Sequence, residues 1–269
     1  MKKGVVKGKG FSRQQLSIVY IVFLFLFVIL PLFVILKYAF TDSSGNISFY
    51  NFVYFFKSAK TLGTLLYSIV IAILTTGICL LIAYPVAYIL AKGGVKRSKA
   101  FLMLFVVPMW INFTLRITAL KEILTLIEGN LAYYPFFNTI LCMVYDFLPF
   151  MILPLYNSLE KIDKSLVEAA KDLGATRWHV LFRVILPLSV PGIVSGVTMV
   201  FLPSMTNYVV LDMVYNSTYI MGSLIGSYFS SYDWHNGSVI SIVLLLIIGC
   251  ITIVSNRMVD VDERVNTLH

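Results

Sequence analysis

Charge is what this chain has least of: 13% of its 269 residues are Asp, Glu, Lys or Arg, against about a quarter in an ordinary soluble domain. So few charges cannot cover a water-facing surface of this size, so lipid must be the solvent for much of it. Cysteine is scarce as well. Cys79, Cys142 and Cys250 all lie in apolar runs without CxxC or Cys/His spacing, and read as small buried hydrophobes. The three histidines, His179, His235 and His269, are scattered, which supports neither a metal site nor a His-based triad. A phosphate-binding loop is missing too. Gly4-Val-Val-Lys-Gly-Lys9 has the wrong spacing, no Ser or Thr after the lysine and no strand before it. The chain is therefore expected to bind no cofactor and to be no enzyme. No internal repeat is visible, which weighs against transporters built from two inverted halves.

What is present is a succession of apolar runs near the length of about 20 residues that crosses a bilayer: 16–40, 64–91, 100–115, 136–159, 184–210 and 237–256. The third is short and can be extended toward Leu120 past Arg116. The expected fold class is all-α integral membrane, with six transmembrane helices. The chain divides into a basic N-terminus at 1–15, a transmembrane domain at 16–256 and a tail at 257–269.

The net charge of +8 does not point to nucleic acid, because the basic residues sit in short clusters between apolar runs. With the N-terminus inside, segments 1–15, 92–99, 160–183 and 257–269 carry 16 of the 21 Lys and Arg. That asymmetry is the positive-inside pattern, and both termini are expected in the cytoplasm. No Lys or Arg occurs from Val184 to Asn256, so segment 211–236 is expected outside.

The inner loop 160–187 reads as two short amphipathic helices with a break between them. Asp163 suits an N-cap, and Ile162, Leu166, Ala169, Ala170 and Leu173 follow the spacing of one helix face. Gly174 suits the left-handed position that ends a helix. Thr176 can cap the next turn, with Trp178, Leu181 and Ile185 on one side. By periodicity alone this is either a knob for a partner's groove or a helix lying on headgroups.

Glu168-Ala169-Ala170, then Gly174, then Val184-x-Leu186-Pro187 resembles the EAA signature of ABC-importer permeases. At average residue usage it arises by chance at about one start in 10^8. The resemblance implies the type I importer fold, with 160–187 forming coupling helices in a cleft of a separate ATPase. Glu168, Ala169, Ala170, Gly174, Leu186 and Pro187 are then the coupling residues. Implied partners are a second permease, two ATPase subunits carrying ATP and Mg, an extracytoplasmic substrate-binding protein and the bilayer.

Three further stretches resemble the B-type permeases of spermidine/putrescine importers: Pro108 to Arg116, Val144 to Tyr156 and Phe201 to Asp212. The second permease would then be of the C type. Ile117-Thr118 and Leu211 depart from that group's pattern, where Thr-Tyr and a proline are expected. The expected pathway residues are Asp146, Asp212, Tyr208, Tyr145, Trp110 and Arg116, since carboxylates and ring faces suit an ammonium chain. Asp146 lies about ten residues into an apolar run, and either faces a pathway or marks a later start of the span. Arg116 can line the path, pair with Asp146 or anchor a helix end. Two alternatives stand beside this reading, an ABC permease for another small solute and an ion-coupled secondary transporter. The second leaves the EAA match unexplained.

Overall fold

In a computed structural model the described residues are 13–42, 44–214 and 219–267, and nearly all of them are helical. The expected stretch 1–15 therefore lies almost wholly outside the described residues. We number the helices α1 (Ser17–Ala39), α2 (Tyr50–Lys57), α3 (Ala59–Lys92), α4 (Ser98–Trp110), α5 (Phe113–Glu128) and α6 (Pro135–Lys161). They continue with α7 (Lys164–Asp172), α8 (Arg177–Leu188), α9 (Val190–Thr206), α10 (Tyr208–Val214), α11 (Met221–Ser230) and α12 (Trp234–Thr267).

Four helices, α1, α3, α6 and α12, are each long and apolar enough to span a bilayer. Two bent pairs bring the total to six, as expected, but neither pair is one straight span. The third run is broken: α4 and α5 meet at 99°. Asn112 makes the corner, its Oδ1 accepting from the Thr114 amide at 2.9 Å, so α5 starts afresh there. The fifth run is broken twice. α8 meets α9 at 64°, with the buried Ser189 hydroxyl holding the Leu186 carbonyl at 2.9 Å and the Tyr84 hydroxyl at 3.0 Å. The chain then breaks again at Asn207, before α10.

Within segment 211–236, α11 packs against the bundle and buries Met221 completely. The Met221 amide donates to Ser68 Oγ of α3 at 2.9 Å. The expected tail at 257–269 is helical as far as it is described, since α12 runs on without a break to Thr267.

The centre of the bundle is α3 packed on α6, with α9 against both. On α3, Ser68, Ala72, Thr75, Cys79, Ala83 and Ala87 are buried at helical spacing and make a row of small side chains. In lipid, association gains nothing from excluding water, so small residues that admit close packing take over. Opposite them, α6 contributes fully buried Met143, Met151, Ile152, Leu155 and Leu159. On α9, Gly192 and Gly196 do the same work against α6. A Cβ at Gly192 would lie 2.4 Å from Ser158 Cβ, and one at Gly196 would lie 2.6 Å from Met151 Sδ. The outer surface is lipid-facing: α1 packs along α12 but leaves Ile18, Phe23, Phe27 and Phe33 exposed.

Close packing at Gly192 gives a stability test. Gly192→Val is expected to cost roughly 1–3 kcal/mol through overpacking and to lower the melting temperature of the solubilised protein. Gly77→Ala, where nothing lies within 4 Å, should instead gain up to about 1 kcal/mol of helix propensity. Equal melting of the two variants would show that the contact between α9 and α6 is not tight.

Candidate functional site

Segment 160–187 is built from three local devices. The Asp163 carboxylate accepts from the Ser165 amide at 2.9 Å and starts α7. Gly174 ends it at φ +82, with the Gly174 amide donating to the Lys171 carbonyl at 2.8 Å and the Ala175 amide to the Ala170 carbonyl at 3.0 Å. That pairing is the Schellman arrangement, and only a residue at ease with positive φ closes it. Thr176 then caps α8, its hydroxyl accepting from the His179 amide at 3.4 Å. All three residues do what the sequence expects.

The burial is less as expected. Ile162 is buried, but Leu166 is half-exposed and Leu173 is 90% exposed, so most of the apolar face of α7 is uncovered by this chain. Ala170 and Val167 are the side chains that lean on the bundle. Trp178 does not share a buried side with Leu181 and Ile185: it is exposed and stacks on Phe182, while Ile185 is 1% exposed. The reason is a π-helical stretch at Leu181–Ile185, immediately before Pro187, which widens the turn and rotates the faces. Glu168 and Ala169 stand exposed, Leu186 is half-buried and Pro187 is exposed at the foot of the bend. In the crook between α7 and α8, a notch of about 370 Å3 is lined by Ala170, Leu173, Gly174, Thr176, His179 and Arg183.

The base of this segment is tied to the α3–α4 turn. Lys92 Nζ donates to the Ile162 carbonyl at the end of α6. Tyr156 OH donates to Glu160 Oε1 at 3.2 Å and lies 3.3 Å from Ser98 Oγ. Lys99 pairs with Glu160 at 3.4 Å, an exposed contact that adds little by itself.

The second feature is a cleft of about 510 Å3 where the broken helices meet. Its walls come from α4 and α5 (Met109, Ile111, Phe113, Arg116), α6 (Asp146, Phe147, Phe150) and the end of α9 (Pro203, Thr206, Asn207) with Val209. Arg116 Nη2 lies 2.6 Å from Asp146 Oδ1, and their side chains are 7% and 4% exposed. Asp146 is therefore buried within α6, and Arg116 is its partner. The contact is electrostatic and incomplete. Nε and Nη1 of Arg116 have no hydrogen-bond partner among the described residues, and Oδ1 of Asp146 receives no aligned hydrogen bond.

Of the six expected pathway residues, the fold brings Arg116 and Asp146 into this cleft. Trp110, Tyr145, Tyr208 and Asp212 are exposed and lie outside its lining. Two other carboxylates have local work: Glu128 accepts from Asn138 at 2.8 Å, and Asp233 caps α12 through the Asn236 amide at 3.1 Å. Sequence reasoning missed Asn207 and the phenylalanines. The signal for Asn207 is Pro203 four positions before it, whose carbonyl takes the Asn207 amide at 2.8 Å as the helix ends.

Bent apolar helices, a buried charge pair facing a cleft and a capped helix pair projecting from the bundle together define a membrane transport subunit rather than a catalyst. The chain belongs to the family of binding-protein-dependent transport system inner membrane components, whose family model matches residues 83–265. It is 35% identical to the spermidine/putrescine transport system permease protein PotB of Haemophilus influenzae, over 92% of this chain and 93% of that one. It is 36% identical to PotB of Escherichia coli, over 71% and 75%. Among solved structures it is similar to a bacterial ABC transporter involved in the import of the acidic polysaccharide alginate, with TM-score 0.69, 18% identity and 93% and 94% covered. The inward-facing MetNI methionine ABC transporter matches with TM-score 0.58 and 18% identity over 76% and 99%. The fold is thus that of a type I ABC-importer permease, and the chain is a multi-pass inner-membrane protein.

The cap on α7 yields a pH test. The Ser165 amide, donating to it, holds the exposed Asp163 carboxyl below the ordinary carboxylate range. A depressed value means that the cap is fully present above about pH 4 and is lost as pH falls through the folded-state value below that. Hydrogen exchange at the Ser165 amide should rise across that lower window, once corrected for intrinsic pH dependence. In Asp163→Ala it should be raised at neutral pH and show no such step.

Proposed function

We propose that this chain forms half of the translocation pathway of an ABC importer for polyamines, spermidine or putrescine, driven by a separate ATPase. The observation that carries the cargo assignment is the 35% identity to PotB along 92% of the chain. The buried carboxylate of Asp146, in a cleft that Phe147 and Phe150 also line, supports it chemically, because an ammonium is held by ion pairing and by cation–π attraction. Asp212, Tyr208, Tyr145 and Trp110 are exposed and serve as outlying contacts for cargo on its way to the cleft.

The drive comes from segment 160–187. Its uncovered apolar residues, Leu173 and Leu166 with the Trp178–Phe182 stack, form a surface for the ATPase cleft, framed by Glu168, Ala169, Ala170, Gly174, Leu186 and Pro187. ATP and Mg are held by the ATPase, and this chain binds neither. The assembly contains a C-type second permease, two ATPase subunits and an extracytoplasmic substrate-binding protein. Both termini and the coupling segment face the cytoplasm, a reading that the distribution of Lys and Arg supports.

The test is uptake of radiolabelled spermidine by the complex reconstituted in liposomes with its ATPase and binding protein. Uptake should require ATP and be competed by putrescine, not by amino acids or sugars. Without polyamine competition the cargo is another small solute, and uptake without any ATPase points to a coupled porter. Glu168→Lys or Gly174→Asp should reduce co-purified ATPase about tenfold, which is about 1.4 kcal/mol of association energy. Undiminished ATPase in both variants would remove 160–187 from the coupling role.

A further inference from the structure

A structural Arg–carboxylate pair in a membrane interior is ordinarily bidentate, with its remaining donors satisfied, because the desolvation cost is otherwise not offset. The Arg116–Asp146 pair is neither. One nitrogen makes the 2.6 Å contact, two further nitrogens have no partner among the described residues, and the carboxylate oxygen at that contact receives no aligned bond. The pair also borders a cleft of about 510 Å3 rather than packed side chains. It is held in place by burial yet bound by little.

We propose that this pair is an exchangeable lock: the ammonium end of the cargo displaces the Arg116 guanidinium from Asp146, and Arg116 re-seals the carboxylate when the cargo leaves. The inference deepens the polyamine reading above and rests on it. An ammonium is compact and carries three freely rotating donors, so it fits one carboxylate oxygen without the planar alignment that guanidinium needs. Phe147 and Phe150 border the same cleft and can offer ring faces to a cation. The released Arg116 has acceptors at hand in Asn207 and Thr206, which line the opposite wall. On Asp146 one cation replaces another, while the cleft as a whole gains the charge of the cargo, so the displaced guanidinium has to be solvated by neutral polar groups of the lining such as Asn207 and Thr206. A neutral or anionic solute has nothing to replace Arg116 with, so the lock stays shut to it, and the empty pathway presents no bare carboxylate to stray cations.

The reconstituted complex tests this with spermidine as the probe. In Arg116→Gln, Asp146 lacks its resident cation. Millimolar spermidine should then raise the melting temperature of the detergent-solubilised complex by several degrees more than in the wild type, while sodium chloride of equal ionic strength should not. In Arg116→Met/Asp146→Leu no buried charge is left unpaired, so the complex should assemble, yet spermidine uptake should fall at least about tenfold. That double variant carries the uptake arm should Arg116→Gln fail to assemble. The lock is overturned if the double variant imports spermidine at the wild-type rate, or if spermidine stabilises Arg116→Gln no more than salt does. A wild-type complex that imports no spermidine would instead overturn the polyamine reading itself.

Discussion

Hydrocarbon offers backbone amides and carbonyls no partners, and this requirement shapes every element of the protein. Helices satisfy it along their length, so the chain is almost wholly helical. The informative positions are those where a helix stops. At three of these a polar side chain takes over the backbone: Ser58 at the start of α3, Asn112 at the start of α5, Ser189 between α8 and α9. Two π-helical stretches, Phe25–Ile29 and Leu181–Ile185, sit just before Pro31 and Pro187. There the missing proline N–H removes a regular helical bond and the turn widens instead of breaking.

The same solvent decides how the helices meet. With lipid outside and side chains inside equally apolar, tightness comes from contact, hence the small-residue row on α3 and the glycines of α9 against α6. Closely packed helices move as units rather than sliding past one another. Segment 160–187 joins the end of α6 to the start of α9, and Lys92 and Tyr156 fasten its base to α3 and to the α3–α4 turn. In the proposed coupling role, a push on α7 is delivered to α6 and α9, which wall the cleft.

Much of this was legible in the sequence, for identifiable reasons. Asp163, Gly174 and Thr176 were readable because caps and C-terminal glycines act within four residues of themselves. The six apolar runs were readable because span length is fixed by the bilayer. The bends at Asn112 and Asn207 were not, since an apolar run has the same composition whether the backbone goes straight or turns through 99°. Trp178 was misplaced because periodicity assumes a uniform helix, and a π turn resets the register. Asp146 was legible as unusual, and Arg116 as one of its possible partners. That the pair would be left half-satisfied depends on helices distant in sequence.

The location of that pair follows from the breaks. Irregular backbone at membrane depth is tolerated where it lines a cavity, and here two interruptions, at Ile111–Asn112 and at Asn207, border one cleft. Two bent helices cannot pack as closely as α3 and α6 do, so their corners leave space between them. A charge pair placed in a tightly packed interface would have to be perfect or be replaced by apolar residues. Placed beside that space, it can stay imperfect, because incoming groups and water can complete it. The bends, the cleft and the unsatisfied ion pair are therefore one feature, and each requires the other two.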